Sequence, residues 1–185
     1  MNKIISEKFT QTNSIERGEY VECEFKDCDL NGMNLSNYSF IECEFINCNL
    51  SNIKFEHTSL KDVLFKSCKL MGIHFELVNP FLLKLKFEES NLNYSSFFRL
   101  KIPKTKFNKS SIQEVDFTEA NLKESVFNEC DLTLSKFEDS NLEKVDFYTS
   151  IGYSFNPSKN NIKKARFSKN EVAGLLSDFD IIISE

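Results

Sequence analysis

Every fifth residue from Phe87 to Phe147 is apolar. The series runs Phe87, Leu92, Phe97, Ile102, Phe107, Ile112, Phe117, Leu122, Phe127, Leu132, Phe137, Leu142, Phe147, alternating aromatic and aliphatic throughout. Neither a helical period of about 3.6 nor a strand period of 2 generates this pattern. A fixed internal period marks a repeat architecture, here with a unit of five. If each unit is a short extended piece followed by a bend, the chain coils about an axis. Its apolar centre, position i, then points inward every time. Four sides give a coil of twenty residues, so residues twenty apart stack roughly 4.8 Å from each other, like paired strands.

In that frame Phe87, Phe107, Phe127 and Phe147 form one ladder, and Phe97, Phe117 and Phe137 the ladder on the opposite wall. Leu92, Ile112 and Leu132 line a third wall, and Ile102, Leu122 and Leu142 the fourth. Alternating flat rings with compact aliphatics fills one narrow interior, as close packing requires. A three-sided coil would mix both types in every column. Position i−2 should also face inward, at a bend with room for small groups. It holds Ser90, Ser95, Thr105, Ser110, Val115, Ala120, Ser125, Cys130, Ser135, Ser140 and Val145. Tyr38 and Leu100 break that rule and are expected to bulge their corners. The other three positions are polar and face water.

The same step runs from Tyr20 through Phe25, Leu30, Leu35, Phe40, Phe45, Leu50, Phe55, Leu60, Phe65 and Leu70 to Phe75. Gly32, Asn52 and Gly72 share one column, which suggests a repeated type II-like turn with positive φ. Phe75 and Phe87 are twelve apart, so two residues are extra. Pro80 lies between them and cannot donate a ladder hydrogen bond. Residues 76–84 therefore read as a bulge or short loop, with Leu77 and Leu82 already in the new frame. Phe81 sits there as a contact candidate or a packing residue.

Beyond Phe147 the frame meets Gly152 and Pro157 and resumes at Ile162 and Phe167. Ser168 and Glu171 spell an S-x-x-E capping box, which predicts a short helix over about residues 169–177. Residues 180–183 read as a strand. Helix and strand together would cover the open end of the stack. The organisation is then 1–18, an N-terminal cap or ragged first coil; 19–75, a first repeat lobe; 76–84, the loop; 85–167, a second lobe; and 168–185, a C-terminal cap. The fold class is all-β. Leu175, Leu176, Phe179, Ile181 and Ile183 give the cap more apolar surface than one open coil covers, which predicts a homodimer through this end.

Charge is banded. Residues 19–62 hold nine acids against three bases, 63–111 nine bases against three acids, and 112–150 ten acids against three bases. The basic band includes Arg99, Lys101, Lys104, Lys106 and Lys109. Asp116, Glu119, Glu138 and Asp139 share one wall of the second acidic band and are the candidate partner-binding residues, together with Phe81 on the 76–84 loop. Each band reads either as a solvated face or as a binding surface.

Catalytic parts are missing. Cys23, Cys28, Cys43, Cys48, Cys68 and Cys130 all fall at i−2. They could be metal ligands, disulfides or small buried thiols. Metal ligands must converge at about 2.3 Å, whereas a column offers a line that no histidine joins. His57 and His74 lie about 10 Å apart at roughly 3.3 Å per residue, too far to share an ion. No nucleophile–base pair or glycine-rich phosphate loop is present. No enzyme activity, cofactor or metal is expected. Single-stranded nucleic acid would need exposed aromatics among the bases, and near the basic band there are just Tyr94 and Phe98, so no direct nucleic-acid binding is expected. There is no run of eighteen apolar residues and no apolar leader at the N-terminus, which predicts no membrane span and a cytoplasmic protein.

The units Asn34–Leu35, Asn49–Leu50, Asn91–Leu92, Asn121–Leu122, Asn141–Leu142, Asp29–Leu30, Asp131–Leu132, Asp116–Phe117 and Asp146–Phe147 mostly follow Cys, Ser, Ala or Val. This resembles the pentapeptide-repeat family over residues 19–167. The resemblance implies a right-handed quadrilateral β-helix. Gly18, Glu19 and Tyr20 opening the coil, the cysteine-rich early repeats and the terminal helix and strand are similar to the Qnr-like quinolone-resistance branch. That branch implies a rod-like dimer joined at its C-terminal ends, similar to B-form DNA in width and charge, with DNA gyrase and topoisomerase IV as partners. Many of its members carry long loops, where this chain has the short 76–84 insertion. The alternative is an interaction scaffold for an unrelated protein.

Overall fold

The computed structural model describes residues 2–179 and 181–183. Short extended pieces separated by bends form eleven strands among these residues. They are β1 (Asn2–Ile5), β2 (Lys8–Thr10), β3 (Gly18–Val21), β4 (Glu24–Lys26), β5 (Ser39–Ile41), β6 (Glu44–Ile46), β7 (Ser59–Lys61), β8 (Val63–Lys66), β9 (Leu85–Glu88), β10 (Lys106–Asn108) and β11 (Val126–Asn128). All pairing is parallel, in one sheet ordered β1-β3-β5-β7 and a second ordered β11-β10-β9-β8-β6-β4-β2. Phe107 is in register with Phe127, and Phe87 with Phe107. The remaining walls are joined by single parallel bridges, such as Asn91 with Ser111 and Asn121 with Asn141. The result is a right-handed quadrilateral β-helix. Successive coils exchange backbone bonds: Leu92 N–H donates to the Ser111 carbonyl at 2.8 Å, and Ser111 N–H to that of Ser90 at 2.9 Å.

All thirteen i residues from Phe87 to Phe147 are at most 1% exposed. Phe9, Phe25, Phe45, Phe65, Phe87, Phe107, Phe127, Phe147 and Phe167 stack in one continuous ladder, with centroids 4.6–5.5 Å apart. Phe75, Phe97, Phe117 and Phe137 form the second at 4.5–5.1 Å. The ladders meet edge to face, as Phe107 and Phe117 do at 6.1 Å and 85°. Rings thus stack along the axis and meet edge-on across it, both favourable arrangements of the ring quadrupole.

The corners are more uniform than the sequence suggests. Tyr38 and Leu100 are buried without a bulge. Their amides keep the usual turn bonds, Tyr38 to the Leu35 carbonyl and Leu100 to that of Phe97. The Tyr38 hydroxyl reaches the Ile15 carbonyl at 3.1 Å, which gives the large side chain a place. Gly32, Asn52 and Gly72 do have positive φ, but so do Arg99 (58°), Lys104 (60°), Glu119 (57°) and Glu124 (61°). Nearly every corner carries a left-handed residue two after i, and glycine marks one column of several. The steric cost is offset because each of these N–H groups joins the ladder, as Arg99 does to Thr118 and Glu119 to Glu138.

The frame slip is local. Val78 is still buried and Asn79 still bridges Ser59. The chain leaves the wall at Pro80 and returns at Leu85, which pairs with Val63. Leu77 and Leu82 do not enter the new frame: they are 44% and 65% exposed. Pro80 has no N–H for the ladder, and positive φ at Leu82 turns its side chain outward. Leu83 packs against the core instead. The two extra residues are absorbed before Phe87, so the Phe65–Phe87 stack survives at 5.5 Å.

The C-terminal end departs further. Tyr153 and Phe155 are buried, and Phe155 extends the second ladder by meeting Phe137 at 5.2 Å. The expected capping box does not form. Asn170 N–H, not that of Glu171, donates to the Ser168 hydroxyl, while the Glu171 carboxylate accepts from Gly152 N–H at 3.0 Å. The short helix expected over about 169–177 is present as a 3-10 helix over Val172–Phe179. Residues 181–183 form no strand, and Asp180 lies outside the described residues. Gly174 lies directly on the Tyr153 carbonyl, where a Cβ would overlap it, and accepts from Phe155 N–H at 3.2 Å.

Candidate partner-binding surfaces

The inward groups are chemically quiet. All six thiols are free and buried. Cys43 donates to the Tyr20 carbonyl at 3.3 Å and Cys48 to that of Phe25 at 3.3 Å. Burial pushes the Cys43 and Cys130 thiols up to about 11, the opposite of what a nucleophile or metal ligand needs. Among the described residues no group of three His, Cys, Asp or Glu could hold an ion. His74 pairs locally with Glu76 at 2.9 Å.

Asp116, Glu119, Glu138 and Asp139 lie on one wall, since residues 116–120 stack on 136–140 through the Asp116–Lys136 bridge. Their charges are not equally available. The Arg99 guanidinium grips Glu119 with two bonds, at 2.8 and 2.9 Å, and holds its carboxyl below the usual range. Glu138 faces Lys159 at 3.7 Å. Asp116 accepts the Thr118 amide at 2.9 Å, and Asp139 sits at a left-handed corner. Neither aspartate has an ion-pair partner among the described residues.

The bands of the sequence become a seam in three dimensions. Arg99, Lys104 and Lys109 lie one coil from Glu119, Glu124 and Glu129 and pair with them at 2.8, 3.7 and 4.0 Å. Lys123–Glu143 and Arg166–Asp146 repeat the arrangement. The signal was available: once twenty residues make a coil, opposite charges twenty apart are neighbours. Lys101 and Lys106 have no acidic partner among the described residues. The Arg99 guanidinium also covers the Phe98 ring at 4.6 Å, which removes a face from base stacking.

Phe81 is 65% exposed on the outward turn, with the Lys61 ammonium 5.4 Å from its ring centroid. At the cap, Leu176, Phe179, Ile181 and Ile183 are between 37% and 57% exposed. Leu175 is not with them: it is 7% exposed and belongs to the core, because the close approach at Gly174 turns it inward. Ile182, passed over in the sequence, is 95% exposed, and Ile151 and Leu134 add apolar surface. No helix among the described residues is long and apolar enough to cross a membrane.

The fold recurs in solved structures. A trypsin-treated form of QnrB1, described as a plasmid-mediated fluoroquinolone resistance protein, matches with a TM-score of 0.66 at 16% identity, over 99% of this chain and 100% of that one. A second trypsin-treated form matches at 0.55 and 17% identity, over 97% and 99%. HetL of Nostoc sp. strain PCC 7120, described as a pentapeptide repeat protein involved in heterocyst differentiation regulation, matches at 0.48 and 13%, over 90% and 86%. Among curated proteins none matches. The model of the pentapeptide repeat region matches residues 19–97 and 76–147. With five-residue units stacked into four walls over that whole span, this chain belongs to the pentapeptide-repeat family.

Proposed function

We propose that this protein is a non-catalytic, Qnr-like DNA mimic that binds a type II topoisomerase, DNA gyrase or topoisomerase IV, in the cytoplasm and modulates its response to quinolones. The observation that carries the reading is the likeness to QnrB1 along essentially the whole length of both chains. Net charge of −5 supports it. So do the unpaired Asp116 and Asp139, which a basic, DNA-binding saddle would attract from a distance. We infer a homodimer through the exposed Leu176, Phe179, Ile181 and Ile183, which would set the two acidic walls on either side of a two-fold axis. Light scattering of a Leu176→Glu, Phe179→Glu variant should report monomer against a dimeric wild type.

The test of function is gyrase supercoiling with a fluoroquinolone present and the protein titrated in. Restored supercoiling, lost in Asp116→Lys, Asp139→Lys, supports the reading. The ion-paired Glu119 and Glu138 should matter less than the two aspartates. No inhibition and no protection at micromolar protein rejects it. The seam of ion pairs favours a second reading, a scaffold for a different protein partner, because it breaks the continuous negative surface that a DNA mimic would present.

A further inference from the structure

The corner where the chain leaves the wall carries charge of the opposite sign. Leu82, Leu83 and Pro103 are apolar residues of two successive coils and line one groove of about 530 Å³. Lys84 and Lys86 rim it on one coil, Lys104 and Lys106 on the next. Their acidic counterparts are too few. Lys84 and Lys86 share the single carboxylate of Asp62, at 2.6 and 2.8 Å. Lys104 shares Glu124 with Lys144, at 3.7 and 3.3 Å. Lys106 has none among the described residues. Leu82 is 65% exposed, and so is Phe81 beside it.

We infer that this groove binds an acidic, extended peptide segment of a partner protein, one that presents carboxylates and apolar side chains on the same face. The inference is independent of the topoisomerase reading, since a basic groove cannot serve a basic DNA saddle. Charge complementarity selects the partner: four ammoniums face one whole carboxylate and part of another, and the deficit is made good by a ligand with two or more acids. Geometry selects its form. Lys84 and Lys86 are two residues apart, as are Lys104 and Lys106. Alternate side chains of an extended segment fall on one face at about 6.6 Å intervals, so such a segment can offer successive carboxylates to the lysines. Leu82, Leu83 and Pro103, which precede the lysines at one end of the groove, would give the segment area as well as charge. A ligand held by both should bind more tightly than one held by either.

Fluorescence anisotropy with the intact protein tests this. The probe is a short labelled peptide with two leucines and then two glutamates at every second position and serine between them, which puts all four on one face when extended. Comparison probes are polyglutamate, the same peptide with lysine in place of glutamate, and vesicles of mixed phosphatidylcholine and phosphatidylserine. The glutamate–leucine peptide should bind, and binding should weaken with salt. Lys104→Glu, Lys106→Glu should lower affinity by about tenfold or more, as loss of a complementary charged rim does. Leu82→Asp, at an exposed position that tolerates its backbone angle, should lower it without altering the melting curve. Equal binding of polyglutamate, undiminished binding by both variants, or capture by vesicles but not by the peptide would overturn the inference, the last in favour of a membrane surface.

Discussion

The coils from Tyr20 to Phe75 and those from Phe87 to Phe147 have the same shape but line their corners with different chemistry. The first set uses thiols at Cys23, Cys28, Cys43, Cys48 and Cys68, with larger apolar groups such as Ile53 and Ile73 at other corners. Cys43 donates to the carbonyls of Tyr20 and Ile41, and Cys48 to those of Phe25 and Ile46. The second set uses mostly hydroxyls, and these also accept. Ser125 donates to the Ile102 carbonyl at 3.2 Å and accepts Thr105 N–H at 3.1 Å. Ser90 takes Cys68 N–H at 3.0 Å, and Ser135 takes Val115 N–H at 3.0 Å. Sulfur is a weak acceptor. The thiol coils are therefore joined at their corners chiefly by packing, and the hydroxyl coils by packing and an added hydrogen bond. One backbone geometry tolerates both solutions because the corner asks first for a small group.

The ladders give the largest expected contrast. Phe117 stacks on Phe97 and Phe137 and meets Phe107 and Phe127 edge-on. Phe117→Ala should cost about 3–5 kcal/mol, the usual range for a buried aromatic truncation. Phe55 has a single ring neighbour, Phe75, tilted at 6.3 Å, so Phe55→Ala should fall at or below the lower end of that range. Urea unfolding would measure both, and equal losses would show that the missing ring neighbours of Phe55 do not weaken its packing.

Corner hydroxyls come next. Ser125→Ala strands a buried amide and should cost about 1–3 kcal/mol. Cys43→Ser supplies an acceptor and loses sulfur volume, and should cost less than about 1 kcal/mol at neutral pH. Its pH dependence separates it further. A thiol raised from 9.0 to about 11 by burial contributes stability that is present below pH 9 and lost as pH rises toward 11. Wild type should therefore lose stability over that window, and Cys43→Ser should lose less. Parallel pH profiles for the two proteins would contradict the burial argument.

Most of the interior was legible because the five-residue step is a direct image of the geometry: inward residues recur whatever their type. What the period could not carry was the place where two residues are added. Counting alone put Leu82 inward, but Pro80 and a left-handed Leu82 hand that place to Leu83. The start of the cap helix was misread for a related reason. Ser168 and Glu171 have the spacing of a capping box, yet Glu171 finds a better donor in Gly152, a residue distant in sequence. Leu175 looked like part of an apolar exterior because nothing local reveals the close approach of Gly174 to Tyr153. The candidate acidic wall was legible in position but not in charge, since the count by bands ignored that the coil sets Arg99 against Glu119.

The smallest expected effect lies at the junction between the two sets of coils, where Asp62 on one side holds Lys84 and Lys86 on the other. The Lys84 ammonium first, and Lys86 with it, hold the Asp62 carboxyl below its ordinary 3.8. A carboxylate lowered in this way stabilises the fold above its unfolded value, and the contribution is lost as pH falls through the folded one. All three side chains are partly in water, so the pairs should be worth less than about 1 kcal/mol. Asp62→Asn should therefore unfold slightly earlier than wild type at pH 7. The gap should close as pH drops below about 4, and it should shrink in high salt. If it persists at pH 2, or does not respond to salt, then Asp62 acts through packing rather than charge. The junction would then be held like the thiol corners, chiefly by packing.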